Sequence, residues 1–170
     1  MFGPVPILNH AAGVIPRRYL FFERNDFMAS EYSAVFVQQV AANQNVLFSD
    51  TPVMGGNCAV HREGSGIVTL RGQTNQCRAL FKVSFGANIG LPAGGTVGPV
   101  SVAISVDGEP LGSATAIVTP AATGDVFNVY VSSILCVPRG CCVTVSVKNV
   151  TTPAQTIEVE NANLLVERIA

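Results

Sequence analysis

Residues 98–118 read GPVSVAISVDGEPLGSATAIV. Val100, Val102, Ile104 and Val106 take alternate positions, with Ser101, Ala103, Ser105 and Asp107 between them. Successive side chains of a strand point to opposite faces, so this period of two predicts a strand with one apolar face. Asp107-Gly108 predicts a tight turn, because glycine adopts positive φ without steric cost. Leu111–Val118 runs back. The stretch is therefore a β-hairpin, and it needs a sheet to join.

Similar segments supply that sheet. Strands are expected near 34–40 (AVFVQQV), 45–48 (NVLF), 58–61, 66–71 (GIVTLR), 77–89 (CRALFKVSFGANI), 97–106, 111–118, 125–136 (DVFNVYVSSILC), 141–149 (CCVTVSVKN) and 156–169 (TIEVENANLLVERI). In 77–89, Phe81, Val83, Phe85, Ala87 and Ile89 share a face opposite Lys82, Ser84 and Asn88. In 141–149, Val143, Val145 and Val147 oppose Thr144, Ser146 and Lys148. The loops carry Gly94-Gly95, Pro99, Pro120, Pro138 and Pro153, and no helix-length periodic segment follows residue 40. Some ten short antiparallel strands predict an all-β domain, a two-sheet sandwich or a barrel.

Composition narrows the function. The chain has 170 residues, enough for one domain with a sizeable core. Charged residues make up 12%, against roughly 25% in soluble domains. Burial of surface between subunits is the simplest remedy for that shortage. The net charge of −1 and the lack of a basic run argue against a nucleic-acid groove. No apolar run reaches the ~18 residues of a membrane helix.

Residues 1–33 differ from the rest. Pro4, Pro6 and Pro16 break the apolar N-terminal stretch, which lacks the basic start of a signal peptide. A short helix near 22–32 is conceivable. Arg17, Arg18, Tyr19, Phe21, Phe22 and Phe27 cluster in this arm and are the candidate partner-docking residues. The other reading of the cluster is packing onto its own domain. The expected division is a docking arm over 1–33 and a domain over 34–170.

Chemistry finds little support. His10 and His61 are the only histidines, and His61 with Glu63 and Ser65 in HREGSG reads as a solvated turn rather than a catalytic set. Asp107 and Glu109 are turn residues, and Glu158 and Glu160 share an exposed strand face. Asn149-Val150-Thr151 matches a glycosylation sequon, of little weight without a secretion signal. Cys58-x-x-His61 is too sparse for zinc. Cys136 and Cys141 flank a turn and either form a cross-strand disulfide or stay reduced; Cys58 and Cys77 are a second possible pair, leaving Cys142 over. The expectation is a non-enzyme with no cofactor and no metal.

The order of segments resembles the trimeric jelly roll of tumour necrosis factor and complement globular heads, in its bacterial or phage form. NVLFSD followed by GIVTLRG carries the likeness, then ALFKVSFGANI, VSVAISVDGEPL, the hairpin VYVSSILCVPRGCCVTVSVKN and the closing ENANLLVERIA. The likeness spans about residues 34–170. The family's glycine-aromatic pair before its long third strand is replaced here by GQTNQCRALF. The resemblance implies a two-sheet antiparallel jelly-roll sandwich and a homotrimer, with the Ser/Ala face of 98–106 open to close approach by another surface. Two functions follow from it. One is a virion component, a trimeric capsid decoration or head-fibre protein whose arm binds a major capsid protein. The alternative is a soluble or spore-surface trimeric ligand-binding module of the complement type. Neither involves nucleic acid or membrane.

Overall fold

A computed structural model describes residues 28–170. The strands among them are β1 (Ala29–Ala34), β2 (Gln38–Val40), β3 (Asp50–Val53), β4 (Ala59–His61), β5 (Ile67–Arg71), β6 (Arg78–Gly90), β7 (Val100–Val106), β8 (Glu109–Val118), β9 (Val126–Pro138), β10 (Cys142–Asn149) and β11 (Ile157–Arg168). No described residue is helical. One sheet runs β3-β1-β11-β6-β9, with β2 also paired to β11; the other runs β4-β5-β10-β7-β8. Every pairing is antiparallel. The all-β fold expected from the alternation is observed, and of the sandwich and barrel it allowed, the structure is the two-sheet jelly roll that the resemblance implies.

The inner faces of the sheets form one core. Phe81, Val83, Phe85, Ala87 and Ile89 of β6 are all buried there, the face their spacing assigns. They meet Val102 and Ile104 of β7, Val145 and Val147 of β10, and Leu164 and Val166 of β11 in one apolar cluster. The opening hairpin is β7–β8: Asp107 and Gly108 both hold positive φ, 50° and 89°, the paired left-handed turn that matches strand twist.

Four expectations are corrected. The first strand begins at Ala29, so residues 29–33 belong to a sheet and not to an arm, and 29–32 are strand where a helix was conceivable. Alternate Ser30, Tyr32 and Ala34 face inward, a mixed face that hydrophobicity alone does not flag. The expected strand 34–40 is interrupted by a bend, and Val35, Phe36 and Val37 stand exposed in it. Segment 45–48 makes only isolated bridges, Asn45 to Lys148 and Phe48 to Ser65, while the unexpected β3 pairs with β1. Finally, β7 is buried on both faces, with Ser105 at 0% exposure. Its Ser/Ala face is therefore closed to another subunit. The strand is internal, and its short side chains are flanked by longer ones: Ser101 pairs with Ile117, and Ala103 with Thr115 and Lys148.

All five cysteines are free thiols, Cys58 buried and the other four exposed. Asn149 of the sequon is 0% exposed. Its Nδ2 donates to the carbonyls of Val40 and Gln155 at 2.9 and 2.8 Å, and its Oδ1 accepts from the Thr151 N–H at 3.0 Å. Asn149 is a structural clamp in the folded protein.

Candidate interaction face

The two sides of the sandwich are built differently. On one side the edge strands are β3 and β4, four and three residues long. On the other they are β9 and β8, thirteen and ten residues long. An open edge is a row of unpaired N–H and C=O groups, and proteins that keep one exposed usually shorten it or charge it. The β3/β4 edge follows that rule. The β8/β9 edge breaks it twice, in length and in composition.

Strand β9 shows how. Val129, Val131, Leu135 and Val137 point into the core, so Tyr130, Ser132, Ile134 and Cys136 must point out. Tyr130 is 64% exposed and Ile134 63%. Phe127 and Val126 are exposed at the start of the same strand, and Ile117 of β8 is 66% exposed. Large apolar side chains thus flank the edge on both sheets.

Inward from that edge, the outer face of the six-stranded sheet is largely polar. Gly86 of β6 pairs with Tyr130, and a Cβ there would meet the tyrosine ring at 3.9 Å, so the ring lies across the glycine. Asn128 Nδ2 donates to Asn88 Oδ1 at 3.1 Å. Lys82 and Glu167 form a 3.1 Å ion pair. Their hydrogen bond and the adjacent carboxylate hold the lysine ammonium above its ordinary pKa. Ser84 points outward from β6, yet it is buried and its hydroxyl has no partner. It stands close enough to draw the Tyr130 phenol below its ordinary pKa, with Ser132 and Lys82 adding to the shift, but forms no well-aligned hydrogen bond.

The sequence-based sites are distributed as follows. Arg17, Arg18, Tyr19, Phe21, Phe22 and Phe27, and His10, lie outside the described residues. His61 is not in a solvated turn: it ends β4, half-buried, with its ring 4.7 Å from that of Tyr32 and 6.2 Å from that of Phe48. Glu158 and Glu160 sit on the outer face, Glu158 within 3.5 Å of Gln39 Nε2. Among the described residues no three His, Cys, Asp or Glu side chains converge as metal ligands, and no helix is long and apolar enough to cross a membrane. Tyr130 and Ile134 were missed, though VYVSSILC holds the signal: two large apolar residues in phase with serine, out of phase with the core valines.

Comparison with solved structures supports the fold. The chain is similar to the globular domain of a zebrafish complement 1qA protein, with a TM-score of 0.60 and 13% identity over 84% of this chain and 97% of that one. It is similar to murine APRIL, with 0.57 and 12% identity over 83% and 98%. A third is the tumour-necrosis-factor protein Eiger from S. frugiperda, with 0.61 and 11% identity over 85% and 93%. No family model matches the chain, and no curated protein does. The architecture is the jelly roll of tumour necrosis factor and complement globular domains.

Proposed function

We propose that this chain is a non-enzymatic recognition module that acts as a homotrimer, assembled through the β8/β9 edge and the adjoining outer face of the six-stranded sheet. The observation that carries the reading is the contrast between the two edges. Short strands close one side, while long strands bearing Ile117, Phe127, Tyr130 and Ile134 leave the other open. A chain with 12% charged residues gains most by covering that side. Copies joined edge to face form a heterologous contact, and a rotation that closes gives a ring.

This reading places the complement-type module ahead of the capsid decoration. The structural neighbours favour it, and the attachment of a virion protein to a capsid rests on the arm, of which residues 1–27 lie outside the described residues. The experiment is sedimentation equilibrium of the full chain beside Tyr130→Asp and Ile134→Asp. Both positions are exposed, so neither change disturbs the core. The parent is expected at three times 17.8 kDa and both variants at the monomer mass. A parent that sediments as a monomer at micromolar concentration overturns the proposal, as do variants that stay trimeric.

A further inference from the structure

Between β1 and β2 the chain bends outward, and Val35, Phe36 and Val37 in that bend are 63%, 78% and 58% exposed. Three large apolar side chains in a row on a surface mark a functional segment or a flaw. This bend is held at both ends. The Ser33 carbonyl accepts from the Ser49 N–H at 2.9 Å. Gln38 bonds the Leu47 backbone twice, donating from Nε2 to the carbonyl at 3.0 Å and accepting at Oε1 from the N–H at 2.8 Å. These bonds fix the display of the apolar side chains and give them no cover.

Val35 and Phe36 line an open groove of about 680 Å³, together with Ser33, Pro52 and two exposed carboxylates, Asp50 and Glu63. Among the described residues Lys82–Glu167 is the one ion pair, so neither groove carboxylate has a cationic partner there. The groove therefore suits an apolar segment that carries two positive charges. The chain encodes one. Residues 17–22 read RRYLFF, setting Arg17 and Arg18 beside Tyr19, Phe21 and Phe22. Elsewhere in residues 1–27 the single Arg24 is outnumbered by Glu23 and Asp26.

Reach selects the same residues. Met28 is fixed at the start of β1, where its carbonyl accepts from the Arg168 N–H at 3.0 Å. From there to Ser33 the strand covers roughly 17 Å, at ~3.3 Å per residue. Phe22 precedes Met28 by six positions, which span at most about 20 Å. Phe27 stops far short of the groove, and residues 17–22 begin where the groove does. A tethered segment meets its site at an effective concentration in the ~millimolar range, so a small groove suffices. Apolar contact supplies most of the affinity, and the exposed ion pairs, individually weak, set the direction in which the segment lies.

We propose that this groove is the docking site of residues 17–22 of the same chain, with Phe21 and Phe22 on Val35 and Phe36, and Arg17 and Arg18 facing Asp50 and Glu63. The groove lies at β3, at the other end of the sheet order from β9, so docking leaves the β8/β9 edge free.

The chain contains no tryptophan, so Phe36→Trp gives a single fluorescent reporter at an exposed position. In the full chain the indole emission is expected to be blue-shifted and protected from acrylamide. Adding Phe21→Ser and Phe22→Ser should move the emission to the red and raise the quenching constant severalfold. Asp50→Lys with Glu63→Lys should expose the indole in the same way, and Arg17→Glu with Arg18→Glu in that chain should restore its protection. Co-expression of the serine-bearing reporter with an excess of parent chain should leave the indole exposed, because the groove takes its own chain's segment. An indole already exposed in the full chain, or equally protected with and without Phe21 and Phe22, overturns the proposal. Protection that returns on co-expression also overturns it, since the occupant is then a neighbouring copy's arm, as does a failure of the reversed charges to restore protection. The reversed-charge chain keeps the test decisive if the serine variant does not fold. None of these readouts depends on oligomer mass, so failure here is separate from failure of the homotrimer.

Discussion

Asp107 Oδ1 accepts two hydrogen bonds from one residue, Thr144, from its backbone N–H at 2.8 Å and from its hydroxyl at 3.0 Å. The Asp107 N–H returns a bond to the Thr144 carbonyl at 2.8 Å. Aspartate in a tight turn commonly bonds its own loop. Here it reaches across to β10 and ties the tip of the β7–β8 hairpin to the neighbouring strand.

That relationship is measurable. Asp107→Ala removes both accepted bonds and places a β-carbon residue with no local compensation at φ 50°, so a loss of about 1–2 kcal/mol is expected in urea denaturation. Asp107→Asn keeps an acceptor oxygen and a residue tolerant of that φ, and should lose about half as much. Equal losses for the two would mean that charge, rather than acceptor geometry, holds the turn.

Phe85 is fully buried at the middle of β6, facing Leu164 of β11 and Val131 of β9 through direct strand pairing. Phe85→Ala is expected to cost roughly 3–5 kcal/mol. A cost below about 1 kcal/mol would contradict the inward register of β6.

Asn149→Ala strips partners from the Val40 and Gln155 carbonyls and from the Thr151 N–H. Each buried group left unpaired costs about 1–3 kcal/mol, so the variant should lose at least about 3 kcal/mol. A melting temperature unchanged by this substitution would show that water replaces the amide without penalty.

Alkaline pH should weaken the fold through two groups. The folded-state pKa of Lys82 lies above its ordinary 10.5, so the ion pair with Glu167 stabilises below that value and is lost as pH rises through the folded pKa. The buried Tyr32 phenol is also raised, above 10.0, and its contribution fades in the same direction. Tyr130 is lowered and acts with the opposite sign. Urea titrations from about pH 9 to about 11.5 should show a falling midpoint. The fall should be shallower in Glu167→Gln and in Tyr32→Phe; a parent slope retained in both would refute the assignment.

Legibility in the sequence follows from which faces are pure. Phe81 to Ile89 alternate without exception, and the turn residues Asp107-Gly108 state their own dihedral angles, so β6 and the β7–β8 hairpin could be read directly. Strand β1 hides because its inward face is Ser30, Tyr32 and Ala34, a pattern that becomes apolar only through burial. Strand β3, DTPV, contains a proline that only an edge strand tolerates. The contact of Tyr32 with His61 was illegible for another reason. The two are far apart in the chain, and their meeting depends on β1 and β4 lying near the same end of two different sheets.

The position of β11 between β1 and β6 has a consequence for synthesis. A polypeptide leaves the ribosome N-terminus first, and β1 emerges long before the strand that must lie beside it. Until Ile157–Arg168 is available, the six-stranded sheet is missing an interior member, and β1 has only the short β3 to pair with. The β5-β10-β7-β8 part of the other sheet is encoded by residue 149 and can form earlier. Folding on the ribosome should therefore be delayed rather than stepwise, with the apolar inner faces shielded by other means meanwhile. A stop codon anywhere before residue 157 would remove the central strand of one sheet, and the product would be a target for degradation rather than a shorter working domain.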